Sequence, residues 1–334
     1  MEDNRGNKLP KVSIIIPVKN MENTIKDLLD SIMQLDYPKD KVEVIIVDGG
    51  SSDKTLEIAS KYPVKILREK GGGPNYGRKI GVMSATGEIY AFTDGDCILP
   101  REWLKKIIEK FRDPEVGCVG GSVFVSKDLE NNLIAKYSDE SVMRVMPIAK
   151  KLEKTEDVKI FKHLALCNMA VKREVLNIVG GLREDMKTFE DVDLMASICK
   201  SGYKVLRSPE IYVWHKHRSN VKGLIKQTFN YGRGAPKFFK NHPETQIAKV
   251  FMLGLLAFII YLVIVIAGLI MMINGNPTII IAISSITLTA LISDVIYYAM
   301  KTKSLLKALL YPLLDIMRIF AFASGSLIQM LIGG

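Results

Sequence analysis

Four cysteines, four histidines and two tryptophans are all that a chain of 334 residues contains. Cys97, Cys118, Cys167 and Cys199 form no Cys-x-x-Cys pair, so neither a zinc ribbon nor a disulfide framework is implied, as expected in a reducing compartment. The turn after the first apolar run, PVKNMEN (17–23), has no glycine, so its backbone cannot close on a pyrophosphate. GGGPNYG (71–77) comes too late and with the wrong spacing, which excludes a dinucleotide-binding fingerprint. The leading MEDNRGNKLPK lacks the apolar stretch of a secretory signal. The segment before the apolar runs is therefore expected to stay on the side of synthesis. Acids are scarce between Trp214 and Lys249, where Glu244 alone stands against eight Lys and Arg.

Hydrophobic residues make up 48% of the chain and are concentrated toward its end. Phe251 to Ile273 is 23 residues without a charge, longer than the ~20 needed to cross a bilayer. Thr278 to Met300 is interrupted only by Asp294, and a weaker run from Leu305 to Ile332 contains Lys307, Asp315 and Arg318. Two to three transmembrane helices are expected from 249 to 334, the third either crossing with tilt or lying partly along the interface. The loop Asn274–Pro277 has no Lys or Arg, whereas Lys301, Lys303 and Lys307 follow the second run. That asymmetry predicts an integral membrane protein with its N-terminal domain in the cytoplasm.

The net charge of +10 is local. Its basic cluster directly precedes the first apolar run and points to anionic lipid head groups, not to nucleic acid. Val221, Leu224, Ile225 and Thr228 fall at helical spacing with Lys222 and Lys226 between them. They predict an amphipathic helix, from about Arg218 to Lys240, lying on the membrane surface within an interface segment 214–248.

Residues 1–213 read as α/β. VSIIIP (12–17) is a short β-branched run of the kind buried on both faces of a parallel sheet. A helix over 23–35 follows, with Ile25, Leu28, Leu29 and Ile32 on one face. Strands are expected at 42–47, 64–67 and 89–93, with helices at 54–62 and 78–85, so the sheet should be mainly parallel. Ligands bind beyond the carboxyl ends of such strands, where Asp48 and Asp94 fall. The stretch YAFTDGDCILP (90–100) sets Asp94 and Asp96 one residue apart at a strand end. Asp and Gly form turns without any function. Asp53 could likewise cap a helix, and Thr188–Asp191 fits a capping box.

The joint order of the motifs points further. VSIIIPVKN, EVIIVDGGSSDKT, GRKIGVMSATGEIYAFTDGDC, GGLREDMKTFEDVDL and QTFNYGRG follow one another in the first ~235 residues. In order and spacing this part of the chain resembles a family 2 glycosyltransferase, inverting and dependent on a nucleotide sugar, with the Rossmann-like glycosyltransferase A fold. The resemblance implies that Asp94 and Asp96 serve a divalent cation, Mn or Mg. Asp96 would be the direct ligand, and Asp94 the contact to ribose or metal-bound water. It implies that Asp48 contacts a uracil-type base or ribose, that Pro17 and Val18 line the base pocket, and that Arg78 faces the diphosphate. Lys79 stands where the family often has Asn. The family's ED pair is Glu190-Asp191, with Asp191 as the base that takes the acceptor's proton. The start of a helix there would hold the Asp191 pKa down. Asp193 would lie behind this pair or face solvent.

His215, after the expected strand EIYVW, is a third candidate metal ligand, or else a histidine at the membrane edge. Gln227 and Arg233 match the segment expected near the diphosphate or acceptor. Gln227 is followed by Thr-Phe-Asn and not by the R-W of processive synthases, which implies transfer of a single sugar. The expected partners are a UDP-sugar, membrane lipids, and a lipid-linked acceptor such as a polyprenyl phosphate or glycolipid. A nucleotidyltransferase of similar fold, or a non-catalytic membrane scaffold, are the alternatives.

Overall fold

All seven residues of the first strand, β1 (Val12–Val18), are buried, as a β-branched run covered on both faces requires. The computed structural model describes residues 9–144, 146–159, 162–186 and 188–332. They divide into two compact units. The first holds the described residues up to Asn131 together with Arg144–His217, and the second holds Asn132–Met143 and those from Arg218 onward.

In the first unit β1 is followed by α1 (Ile25–Met33), β2 (Val42–Asp48), α2 (Thr55–Ala59), β3 (Lys65–Arg68), α3 (Pro74–Ser84) and β4 (Ile89–Phe92). Strands β3, β2, β1 and β4 lie side by side and parallel, as expected from the alternating pattern. α1 buries the predicted face of Ile25, Leu28, Leu29 and Ile32. α3 begins four residues earlier than its periodicity suggests, because Pro74 takes the first helical turn, where a missing N–H costs nothing. Gly81 lets this helix close on the sheet: a Cβ there would stand 2.4 Å from Ile15 Cγ2.

The sheet then changes character. β5 (Cys97–Ile98), α4 (Trp103–Lys110), β6 (Val116–Val125), β7 (Glu153–Thr155), β8 (Met169–Lys172), α6 (Arg173–Ile178), α7 (Glu190–Lys200) and β9 (Lys204–His215) complete the unit. α5 (Leu133–Glu140), between β6 and β7, belongs to the second unit. β8 is antiparallel to both β4 and β6, β9 runs parallel to β6, and β5 closes antiparallel on β9. The order is β3-β2-β1-β4-β8-β6-β9-β5, with β7 on β9: a mixed, mostly parallel sheet of nine strands. One core cluster runs through it, from Val12 and Leu28 to Trp103, Val119 and Val213.

The second unit adds α8 (Val221–Asn241), α9 (Gln246–Ile273), α10 (Thr278–Thr302) and α11 (Leu305–Ile332) to α5. α9 and α10 reach mean hydropathies of 3.1 and 2.2 over their most apolar 18 residues. At 28 and 25 residues both exceed the ~20 that span a bilayer, and they are candidate membrane spans. α11 is not a third. Its Asp315 and Arg318 are buried in a polar cluster, where Asp315 accepts from Tyr137 and Tyr298 hydroxyls and from Ser141 Oγ at 2.9 Å. Arg318 donates to Tyr137 Oη at 3.0 Å and to the Met143 carbonyl at 2.6 Å.

α8 is amphipathic, as expected, but its apolar face meets protein. Leu224 and Thr228 are buried, but Val221 and Ile225 are only half-buried, and the buried face continues through Gly232, Ala235 and Phe238. Glycines set the partner of this face. A Cβ on Gly232 would stand 2.1 Å from the Phe322 carbonyl oxygen, and one on Gly325 would stand 2.2 Å from that of Phe229. α8 and α11 therefore cross backbone to backbone, and the face assigned to lipid is covered by protein. Lys222, Lys226, Arg233 and Lys240 remain exposed on the other side. Gly232→Val is expected to cost roughly 1–3 kcal/mol of stability or more through overpacking. Gly254→Val on α9, where a Cβ meets nothing within 4 Å, should leave the melting temperature unchanged. Thermal unfolding of the two variants in the same detergent checks this.

Candidate functional site

The carboxyl ends of β1, β2 and β4 lie together because the strands are parallel and in register, with Val18 opposite Asp48 and Ile15 opposite Phe92. The turn Asp94-Gly95-Asp96 leaves β4 at this edge. A Cβ on Gly95 would come within 3.2 Å of Val18 and Met21 side chains, so a small residue between the two acids lets the turn lie flat against β1. Pro17, Val18 and Asp48 sit at the same edge. Asp48 is buried and its carboxylate accepts from the backbone N–H of Gly50 and Ser51 at 3.1–3.2 Å. That fixes its orientation as the turn begins.

Arg78 gathers the acids. Its side chain is 4% exposed, with Nη2 2.6 Å from Asp94 Oδ1 and Nη1 3.4 Å from Glu190 Oε1. Burial opposes the charged guanidinium, yet Asp94 and Glu190 together raise its pKa. The fold thus joins two segments 112 residues apart, a pairing that the sequence reading, which set Arg78 facing the diphosphate, did not foresee. Asn75, one turn before Arg78, was missed by the sequence reading. It is buried, and its Nδ2 donates to the carbonyls of Arg183 at 2.6 Å and Met186 at 3.1 Å, tying α3 to the loop that delivers Glu190. Lys79 and Glu184 form a second tie beside it. The signal was present as an Asn directly after a helix-starting Pro, but nothing local shows what it holds.

α7 does not start from Thr188, the N-cap of the expected capping box: Phe189 holds the N-cap position, in left-handed backbone conformation at φ 65°, and its own side chain makes no capping hydrogen bond. Such a conformation is costly for an aromatic residue and is characteristic of functional sites. Nor is the pKa of Asp191 held down. Burial pushes Glu190 up to about 7, reinforced by the neighbouring Asp191 charge and opposed by Arg78. Burial likewise pushes Asp191 up to about 6, against its hydrogen bond from the Val192 N–H and the pull of Arg78. Desolvation outweighs the helix terminus here. Asp193 is buried, which removes the reading that it faces solvent.

Beside this cluster, the β5–β9 pairing sets Cys97 opposite His215 and brings Asp96, Cys97 and His215 ligand atoms within 4.8 Å of one another. Asp94, turned to Arg78, is not in this group. Asp96 Oδ1 is buried, accepts no hydrogen bond among the described residues, and lies 3.3 Å from His215 Nε2. An orphaned buried carboxylate oxygen facing an imidazole nitrogen fits a divalent cation. His215 is buried in protein, and its Nδ1 meets His217 Nδ1 at 2.9 Å. When His215 Nδ1 carries the proton of that bond, Nε2 has its lone pair directed at the Asp96 side. Cys97, set aside in the sequence for lack of a paired cysteine, was legible only as the residue after Asp96. Its Sγ faces the Cys167 carbonyl at 4.0 Å, and a hard cation prefers the oxygen and nitrogen donors.

Gln227 and Arg233 are carried by α8 in the second unit. There Gln227 Nε2 donates to Tyr231 Oη at 3.1 Å, and Arg233 is exposed. The first unit brings together the other expected residues: Pro17, Val18, Asp48, Arg78, Asp94 and Asp96, with Glu190, Asp191 and His215.

A mixed sheet with acid pairs at its carboxyl edge is the architecture of a glycosyltransferase of the A type. Residues 13–179 match the model of glycosyl transferase family 2, and the chain belongs to that family. It is 28% identical over 232 residues to glycosyltransferase AglE of Haloferax volcanii, covering 68% of this chain and 73% of that one. It is 25% identical over 233 residues to the dolichyl N-acetyl-alpha-D-glucosaminyl phosphate 3-beta-D-2,3-diacetamido-2,3-dideoxy-beta-D-glucuronosyltransferase of Methanococcus voltae, covering 66% and 71%. Among solved structures, a mannosyltransferase from Pyrobaculum calidifontis in complex with GDP-Man and Mn2+ shares the fold. Its TM-score is 0.64 at 20% identity, over 98% of this chain and 88% of that one. The nucleotidyltransferase alternative is set aside by this membership.

Arg78→Gln would leave Asp94 and Glu190 facing each other in a half-buried site. It is expected to cost roughly 1–3 kcal/mol. Both Glu190 and Asp191 titrate above the ordinary carboxylate range and rise further without the guanidinium, so the cost should be largest near pH 8. It should shrink as pH falls through about 6 and the pair takes up protons. Melting curves of parent and variant between pH 5 and pH 8 check the sign.

Proposed function

We propose that this chain is a membrane-anchored, inverting glycosyltransferase that moves one sugar from a nucleotide sugar to a lipid-linked acceptor. A UDP-sugar is the first donor to test and GDP-mannose the second. A polyprenyl phosphate or a glycolipid is the proposed acceptor, and the catalytic unit is proposed to face the cytoplasm. The observation that carries the reading is the pair of acid clusters on either side of Arg78. One contains a carboxylate with its pKa raised to about 6, and the other an orphaned carboxylate oxygen opposite an imidazole.

Asp191, deprotonated at neutral pH, takes the proton of the acceptor hydroxyl as that oxygen attacks the anomeric carbon. A base whose pKa lies near the working pH is well matched to this step. The bond from the anomeric carbon to the diphosphate oxygen breaks on the opposite face, so the configuration inverts. Arg78 holds Asp94 and Glu190 in place, and Asp48, Pro17 and Val18 hold the nucleoside. A divalent cation held by Asp96 and His215 would act as Lewis acid for the charge growing on the leaving diphosphate. The membrane side rests on α9 and α10, and on the absence of Lys and Arg from Asn274–Pro277 against Lys301, Lys303 and Lys307. A relative whose name specifies a dolichyl phosphate-linked sugar supports the acceptor class.

The direct test is to supply membranes containing the chain with radiolabelled nucleotide sugars and extract the products into organic solvent. Label entering the solvent phase, with inverted anomeric configuration by NMR, is the expected result. Label confined to water-soluble product would remove the lipid acceptor.

Asp191→Asn should retain nucleotide-sugar binding and lose about 10²–10⁴ in kcat, the usual worth of a positioned base. The parent rate should fall as pH drops through about 6, because the base must be unprotonated. Retention of the parent rate by Asp191→Asn would move the role to Glu190.

Asp96→Ala should abolish the extra rise in melting temperature that manganese adds to nucleotide, since only a ligand bound to the folded state stabilises it. Differential scanning fluorimetry with UDP, with and without Mn, reads this out.

A further inference from the structure

β5 and β9 form a two-strand ribbon with different chemistry on its two faces. Cys97 pairs with His215 and Ile98 with Trp214, and side chains alternate along each strand. Cys97 and His215 therefore share the face of the metal group, while Ile98 and Trp214 point to the other. On that other face, between α1, α4 and β9, lies a cavity of about 600 Å³. The volume falls within the range of pockets that enclose small organic molecules. None of the residues discussed for transfer lines it.

Its walls define the ligand. Tyr212 and Trp214 alternate along β9 on one side, both half-exposed, their rings 5.2 Å apart and 86° to one another. Two perpendicular rings make a corner against which the C–H face of a pyranose can lie. Asp27, Asp30, Glu102 and Glu210 also line the cavity, which would suit a cation if they were free. Each instead has a lysine: Lys216 at 3.9 Å from Asp27, Lys26 at 2.6 Å from Asp30, Lys106 at 3.1 Å from Glu102 and Lys110 at 2.6 Å from Glu210. Charge is cancelled while hydrogen-bonding atoms stay fixed on the walls, with Gln34 adding an amide. Arg101 adds one cation without an ion pair among the described residues to this acid-rich lining, too little to cradle a phosphate among four carboxylates, and a lipid chain finds too many polar atoms. A neutral polyol with one apolar face is complementary to both walls.

We infer that this cavity is a second, non-catalytic saccharide-binding site, back to back with the acid clusters across the β5–β9 ribbon. It takes a short neutral oligosaccharide, stacked on Tyr212 and Trp214 and hydrogen-bonded by Asp27, Gln34 and Glu210. This goes beyond the proposed transfer reaction, which needs no such site.

Both tryptophans of the chain line the cavity, Trp214 half-exposed and Trp103 buried with its Nε1 donating to Asn168 Oδ1 at 2.8 Å. Intrinsic fluorescence therefore reports on the cavity. The full chain in detergent is titrated with maltotriose, mannotriose and triacetylchitotriose up to the order of 10 mM, a range that reads weak single-site binding. At least one is expected to give a saturable change that Trp214→Phe removes. Tyr212→Ala should weaken binding about tenfold, the loss of one stacked ring. Tyr212→Phe should bind like the parent, which separates stacking from misfolding. UDP binding, measured on the same samples, should be unaltered by all three substitutions and by saturating trisaccharide. The inference is overturned if no trisaccharide gives a saturable change, if Tyr212→Ala binds like the parent, or if UDP competes with the sugar. Normal UDP binding in the first two cases would leave the proposed transfer function standing.

Discussion

One buried guanidinium makes the rest of the site possible. Asp94 and Glu190 arrive from a strand end and a helix start that are far apart in sequence, and like charges at close range repel by several kcal/mol when water is excluded. Arg78, nearly fully buried, offers nitrogen to both. Its position depends in turn on α3 lying flat on β1 through Gly81 and being tied through Asn75 to the loop before α7. The glycine and asparagine act on the reaction only through that arginine. Charge neutralisation, helix placement and loop placement are therefore one constraint.

The same arrangement separates two kinds of acid. Glu190 and Asp191 are desolvated and their pKa values rise, which suits proton transfer near neutral pH. Asp96 sits against an imidazole with an oxygen left over, which suits a cation. Two acid pairs of similar sequence character are set to different tasks by what surrounds them. The left-handed Phe189 stores conformational strain immediately before the first pair.

Much of this was legible in the sequence where a local pattern fixes the structure. VSIIIP could only be a strand buried on both faces, and the 3.6-residue period of α1 identified its inner side. The motif order identified the family and the acid pairs. What escaped depends on partners distant in the chain. Nothing near Thr188 shows that Phe189 caps α7, or that burial would outweigh the helix terminus at Asp191. The antiparallel half of the sheet was not foreseen, since β8 is short and its neighbours β4 and β6 are separated from it by long segments. The face of α8 misled for a related reason. Gly232 reads as a gap in an amphipathic helix until Gly325 appears opposite its neighbours.

The excursion of Asn132–Met143 into the helical unit bears on how such a chain is made. Tyr137 and Ser141 leave the ribosome long before Asp315, which follows Tyr137 by 178 residues, and until then their hydroxyls lack their carboxylate. Closing so long a loop is slow compared with local pairing. Tyr137 and Ser141 therefore keep their hydroxyls solvated until α11 is complete. The cluster is completed last, when α11 brings Asp315 and Arg318 to the hydroxyls of Tyr137 and Ser141.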